Sequence, residues 1–170
     1  MIGPRYFFAR AELLRIVDGD TIDVLITWHL GFKMVASIEV RLRLARINTP
    51  ETNRRAEKVA GDAAEAYLRS MLRERVMLEE LDINGEPTWI PGQILAIETF
   101  KDDGLSRYVA DVWEGPGQMG DDATVNDHLV DAGHAVYKTY GATVGQPRGE
   151  SDEALLEFEA DTIRHVFGVR

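Results

Sequence analysis

Nine consecutive residues, Arg43-Leu44-Ala45-Arg46-Ile47-Asn48-Thr49-Pro50-Glu51, put an arginine, an amide and a carboxylate on one short run that turns at a proline. Upstream lies the acidic turn Asp18-Gly19-Asp20-Thr21, and downstream stands Arg107. A hard cation takes carboxylate, carbonyl and water oxygens, and Asp20, Asn48 and the Thr49 carbonyl can supply them. Arginine suits a phosphate because its planar fork binds two oxygens and stays charged, which points to Arg43 and Arg107. Glu51, held beside Pro50, is of the type that positions or deprotonates a water. Hydrolysis of a phosphodiester needs these three things together: charge neutralisation, an in-line water and a stabilised leaving oxygen. Asn48 stands where a stronger cation site would carry an acid.

Each residue also has a plainer reading. Asp18-Gly19-Asp20 alone is most often a hairpin turn. A single arginine on a strand is usually a surface residue, and Thr-Pro-Glu is a common start of a helix. Arg107 after Asp103 also reads as half of a cross-turn salt bridge, which would be worth about 0–1 kcal/mol. The ordered combination is what carries the chemistry. The four histidines have no zinc-ligand spacing. No phosphate-cradling glycine loop and no Gly-x-Ser-x-Gly elbow occur. The absence of cysteine excludes disulfides and thiolate metal sites.

The elements that must position these residues follow from pattern. Phe7 to Val17 and Thr21 to Trp28 read as two strands joined at Asp18-Gly19-Asp20. Val35 to Ile47 alternates, with Val40, Leu42 and Leu44 on one face and Arg41, Arg43 and Ala45 on the other. Pro50 ends that strand in a fixed turn. A helix starts near Gly61-Asp62, since glycine inside a helix costs about 1 kcal/mol. Its apolar stripe reads Ala60, Ala63, Ala64, Tyr67, Met71 and Leu72. Val76 to Leu81 is a short strand, Asn84-Gly85 a turn, and Gln93 to Phe100 and Arg107 to Trp113 two more strands. Thr124 caps a short helix with Asp127 three residues on, and Gly133 ends it. Ser151 caps a final helix with the stripe Leu156, Ala160, Ile163 and Phe167.

Five or so strands with a helix between the third and fourth predict an α+β, mainly β chain: an OB-like five-stranded barrel with capping helices and an added C-terminal helix at about 151–168. At 170 residues one domain over 1–170 is expected. No apolar run approaches the roughly 20 residues of a membrane span. Arg10 and Glu12 interrupt any secretory core, so a cytoplasmic protein without a membrane partner is expected. The net charge of −10 argues against a large nucleic-acid footprint. Arg41, Arg43, Arg46, Arg54, Arg55 and Lys58 nevertheless cluster on the motif, as for a basic groove on an acidic body.

These residues together resemble the staphylococcal nuclease (thermonuclease-like) domain family. The matching elements are Val17-Asp18-Gly19-Asp20-Thr21, Arg43-Leu44 running into Thr49-Pro50-Glu51, Asp103 to Arg107 with Tyr108-Val109-Ala110, and Val125-Asn126 with Leu129-Val130 and Gly133-His134-Ala135. The resemblance covers about residues 10–140. It implies a nuclease on an OB barrel that depends on Ca²⁺ or another divalent cation, cutting DNA and/or RNA with little sequence preference to leave 5′-hydroxyl and 3′-phosphate ends. Carried over, Glu51 activates water, Arg43 and Arg107 bind phosphate, and Asp20, Asn48 and the Thr49 carbonyl hold the ion. Asn126 and its helix become structural. Asn48 departs from the family's usual aspartate, Arg46 from a small or apolar residue, and Ser106 from a glycine. Asn84 to Gly92, read as an inserted hairpin tip, and the helix from Ser151 lie outside the pattern. The alternative is a catalytically weakened OB-type module that binds nucleic acid or a protein partner, and a third reading is an interaction domain that uses the acidic C-terminal helix.

Overall fold

The structure, a computed structural model, describes residues 5–29, 35–51, 57–101, 108–118 and 123–138. The expected helix from Ser151, the loop at 140–149 and Arg107 lie outside the described residues.

Three antiparallel strands open the chain: β1 (Arg5–Asp18), β2 (Thr21–His29) and β3 (Val35–Leu44). A two-residue strand β4 (Ile47–Asn48) and helix α1 (Lys58–Met71) follow. The hairpin β5 (Val76–Leu81) and β6 (Pro87–Ile90) forms its own two-stranded sheet. Then come β7 (Ile94–Lys101), β8 (Tyr108–Trp113), a single 3₁₀ turn at Pro116–Gln118, helix α2 (Val125–Asp131) and β9 (Val136–Tyr137). β1, β2, β3, β8 and β7 close into a barrel. The closing pair is parallel and short, Arg43 to Val109 and Leu44 to Ala110. This is the expected five-stranded OB-like barrel.

Alternation along the strands builds the core. Ile22, Val24 and Ile26 of β2 and Leu42 and Leu44 of β3 point inward and are buried, while their neighbours face out. Leu13, Ile16, Leu95, Ile97, Ala110 and Val112 complete the interior. Burying each such aliphatic side chain contributes about 1.5–3 kcal/mol. Helix α1 covers the barrel with Gly61, Ala64 and Leu68, followed by Leu72, and α2 with Val125 and Leu129.

Three details differ from the sequence reading. Helix α1 starts at Lys58, so Gly61 lies within it rather than at its start. Gly61 sits on the packed stripe with Ala64 and Leu68, and a Lys58–Asp62 ion pair supports the first turn, so packing outweighs the glycine penalty. Ala60 and Ala63 are exposed. The strand expected over Val35 to Ile47 breaks at Ala45-Arg46, where Arg46 takes a positive φ of 63° and Ala45 turns inward. The helix start at Thr124 is a capping box, as expected: its hydroxyl accepts from the Asp127 amide, and the Asp127 carboxylate accepts from the Thr124 amide.

Candidate active site

The turn between β1 and β2 packs directly on the chain that leaves β4 at Thr49. The Asp20 amide donates to Asp18 Oδ1 at 3.0 Å, fixing the acidic turn. Gly19 has no room for a side chain: a Cβ there would lie 2.9 Å from Ala64 Cβ and 3.1 Å from Thr49 Oγ1. The Asp20 carbonyl accepts from the Leu44 amide at 2.7 Å, which ties the turn to the end of β3. The Asp20 side chain thereby points inward and is 3% exposed.

Arg43, from the outward face of β3, reaches back over this turn. Its Nη2 donates to Asp20 Oδ2 at 2.5 Å and to Asn48 Oδ1 at 3.0 Å. Asn48 Nδ2 in turn donates to the Thr49 carbonyl at 3.2 Å, and the Thr49 amide donates to Asp20 Oδ2 at 3.3 Å. One guanidinium thus bridges Asp20 and Asn48, and the amide of Asn48 covers the Thr49 carbonyl. Glu51 follows on the same turn, half-buried, with its backbone amide held by Glu57 Oε2 at 3.1 Å. Asp18, Asp20, Arg43, Thr49, Pro50 and Glu51 line a cleft of about 20 Å³, room for about one water-sized occupant.

Burial pushes the Asp20 carboxyl up to about 6, against the pull of Arg43, and Asp18 adds to the rise. A carboxylate that is hard to ionise when buried gains most from an added positive charge.

Arg46 and Asn126 hold the turn from behind. Arg46 donates through Nε and Nη2 to Asp111 Oδ1 at 3.0 and 2.7 Å, and its Nη1 lies 3.5 Å from Asp127 Oδ1. Burial opposes the Arg46 charge, but Asp111 and Asp127 keep its pKa above the ordinary value. The Arg46 carbonyl accepts from the Lys138 amide at 2.7 Å. Asn126 is fully buried; its Nδ2 donates to the carbonyls of Ala45 and Ala110, both at 2.9 Å, and its Oδ1 accepts from the Val112 amide. Sequence reasoning missed this clamp, because Asp111 carries no motif and is 65 residues from Arg46.

Of the expected site residues, Asp20, Arg43, Asn48, Thr49 and Glu51 thus come together, and Arg107 lies outside the described residues. Asp18, read from sequence only as part of a turn, also lines the cleft. Among the described residues, no three histidine, cysteine, aspartate or glutamate side chains form a metal cage. The available donor set is one buried carboxylate, one amide oxygen and one carbonyl, all hard oxygens. It fits a hard divalent cation in type, held with little charge.

A closed five-stranded barrel, with a carboxylate and arginine cleft where the β1–β2 turn meets the chain leaving β4, makes this an OB-like domain. The chain belongs to the staphylococcal nuclease homologue family, whose model matches residues 41–163. The match begins after the Asp18–Thr21 turn and runs past residue 140 into the segment that the motifs left outside the pattern. Members of the family are generally nucleases and typically depend on Ca²⁺. No curated protein matches the chain. No helix among the described residues is long and apolar enough to cross a membrane.

Proposed function

We propose that this chain is a calcium-dependent phosphodiesterase that hydrolyses DNA and/or RNA with little sequence preference. The observation that carries the reading is the convergence of Asp20, Arg43, Thr49 and Glu51 on one cleft from two turns far apart in sequence. In this reading Arg43 and Arg107 bind the phosphoryl oxygens, and Glu51 orients a water and takes its proton. Asp20, Asn48 Oδ1 and the Thr49 carbonyl hold the ion, which supplies charge neutralisation on the phosphoryl group when bound. Phosphate engagement draws Arg43 from Asp20 and Asn48 toward the substrate, and burial of Asp20 sharpens its demand for a replacement cation. A protein partner through the C-terminal segment and a cytoplasmic location remain part of the same proposal.

The test is incubation of the purified protein with single- and double-stranded DNA and RNA, in Ca²⁺, in Mg²⁺ and in chelator. Cleavage that needs a divalent cation and leaves 3′-phosphate ends supports the reading. Salt-sensitive binding without cleavage in any metal supports the second one, a weakened binding module. That second reading is favoured by one observation: Asp20, Arg43, Asn48 and Thr49 already satisfy one another.

A further inference from the structure

The outward face of the barrel wall beside the cleft carries a second cationic row. Strand register aligns Asp18, Thr21 and Arg43 in one row across β1, β2 and β3, and Arg15, Asp23 and Arg41 in the next. Arg15 donates through Nη2 and Nε to Asp23 Oδ2 at 2.6 and 3.2 Å. Arg41 donates through Nε to Asp23 Oδ1 at 2.7 Å and through Nη2 to Oδ2 at 3.0 Å. Two guanidiniums therefore share a single carboxylate, and the row keeps one net positive charge. Arg41, first, and Arg15 hold the Asp23 carboxyl below its ordinary pKa. The side chains of Arg15 and Arg41 are 60% and 58% exposed. A guanidinium has five N–H donors, so two bonds to Asp23 leave donors on each for a ligand.

We propose that Arg15 and Arg41, joined by Asp23, form a second phosphate subsite, which takes the phosphate next to that at Arg43 in a single-stranded nucleic acid whose backbone runs along β3. The proposal rests on the nuclease reading and extends it. Arg41 and Arg43 are two residues apart on one strand face, about 6.6–6.8 Å, close to the step between successive phosphates of an extended strand. The next row out is Glu12, Leu25 and Glu39; Glu12 is paired with Arg75 at 2.7 Å, and Glu39 is the acid that ends the track after two phosphates. A duplex would bring further phosphates over Glu39, so a single strand fits better. The two rows contain no aromatic side chain, so the track reads backbone charge and not base identity.

The test uses the Glu51→Gln protein in Ca²⁺, so that the ligand survives. A fluorescent thymidine decamer reports binding by anisotropy, and unlabelled thymidine dinucleotide (one phosphate) and trinucleotide (two) compete with it. Arg41→Gln and Arg15→Gln are each expected to weaken the trinucleotide and decamer by about three- to tenfold and to flatten the decamer's salt slope by about 0.7. The dinucleotide should be unaffected. Asp23→Asn removes the shared carboxylate's charge and should tighten the trinucleotide instead, a gain that a merely structural role for the row does not produce. Equal loss for dinucleotide and trinucleotide, or no loss for either, overturns the subsite. If the unmutated protein binds no decamer in a salt-dependent way, the nuclease reading falls with it. If the unmutated protein binds and cleaves while Arg41→Gln matches it, only the subsite falls.

Discussion

Asn48 donates from Nδ2 to the carbonyl oxygen of Thr49 at 3.2 Å, a contact that an ionised aspartate in the same place has no proton to make. The other end of the amide accepts from Arg43 at 3.0 Å. Asn48 thus does two jobs in the site, and it would supply an ion with an oxygen but no charge. Asn48→Asp adds the charge and sets two acceptors facing each other at Thr49. Activity at low Ca²⁺ should rise by more than activity at saturating Ca²⁺, and metal-free stability should fall by about 1 kcal/mol. A Ca²⁺ titration of cleavage with a parallel urea melt in chelator reads both. The same fold-change at low and saturating Ca²⁺ would sink the charge argument.

Glu51 lines the cleft, and the Glu57 carboxylate secures its backbone amide. Glu51→Gln keeps that backbone contact and the size of the side chain while removing the base. Turnover should drop by about 10²–10⁴-fold with oligonucleotide affinity largely kept. Parallel loss of kcat and of binding would instead assign Glu51 a structural part.

The barrel and most of this cleft were legible in the sequence because both are written locally. Strand alternation set Arg43 opposite Leu42 and Leu44, Pro50 marked the turn, and Thr124 with Asp127 marked a helix start. What stayed hidden was the turn at Arg46. The apolar series Leu42, Leu44 and Ile47 runs through it without a glycine, asparagine or proline, so nothing announces a positive φ. The residues that make it tolerable, Asp111 and Asn126, arrive from β8 and α2. Gly61 misled for the same reason: its place on the α1 stripe is a fact of packing, not of propensity.

The Asp20 carboxyl offers a pH test. Its folded pKa, raised to about 6 from 3.8 chiefly by burial, means that the folded chain binds the proton more tightly than the unfolded one. Its contribution to stability is therefore fully present below about 3.8 and is lost as pH rises through about 6. Asp20→Asn removes that loss. Relative to the unmutated protein, its stability in chelator should improve between pH 4 and pH 7 by on the order of 2 kcal/mol. Urea unfolding at four pH values measures the difference, and a difference that stays flat with pH contradicts the assignment.

Arg46 combines a strained backbone with a half-exposed ion pair to a buried aspartate, and two substitutions separate them. Arg46→Ala keeps the left-handed strain and leaves Asp111, whose side chain is 9% exposed, without its guanidinium. A loss of about 3 kcal/mol is expected. Arg46→Gly loses the same pair but adopts φ 63° freely, so it should be about 1 kcal/mol more stable than Arg46→Ala. Equal stability of the two variants in chemical denaturation would show that the turn stores no strain.

The base of the β5–β6 hairpin meets the barrel at a crowded point, and two glycines test how. A Cβ on Gly92 would lie 1.8 Å from the Leu13 carbonyl oxygen, a backbone atom that also accepts from the Arg75 amide at 3.2 Å. The Leu13 amide donates to the Gln93 carbonyl at 2.9 Å, so neither strand can yield without breaking the other's bonds. Gly85, at the tip, has a φ of 81° and nothing within 4 Å of an added Cβ. Gly85→Ala therefore meets backbone strain alone, about 1 kcal/mol, whereas Gly92→Ala forces β1 and the hairpin base apart at about 3 kcal/mol. Thermal or urea unfolding of the two variants should rank Gly92→Ala well below Gly85→Ala. Because the base of the hairpin adjoins Leu13 and not the cleft, Gly92→Ala should keep its turnover per folded molecule at low temperature. The reverse stability ranking would mean that the hairpin base moves freely on the barrel.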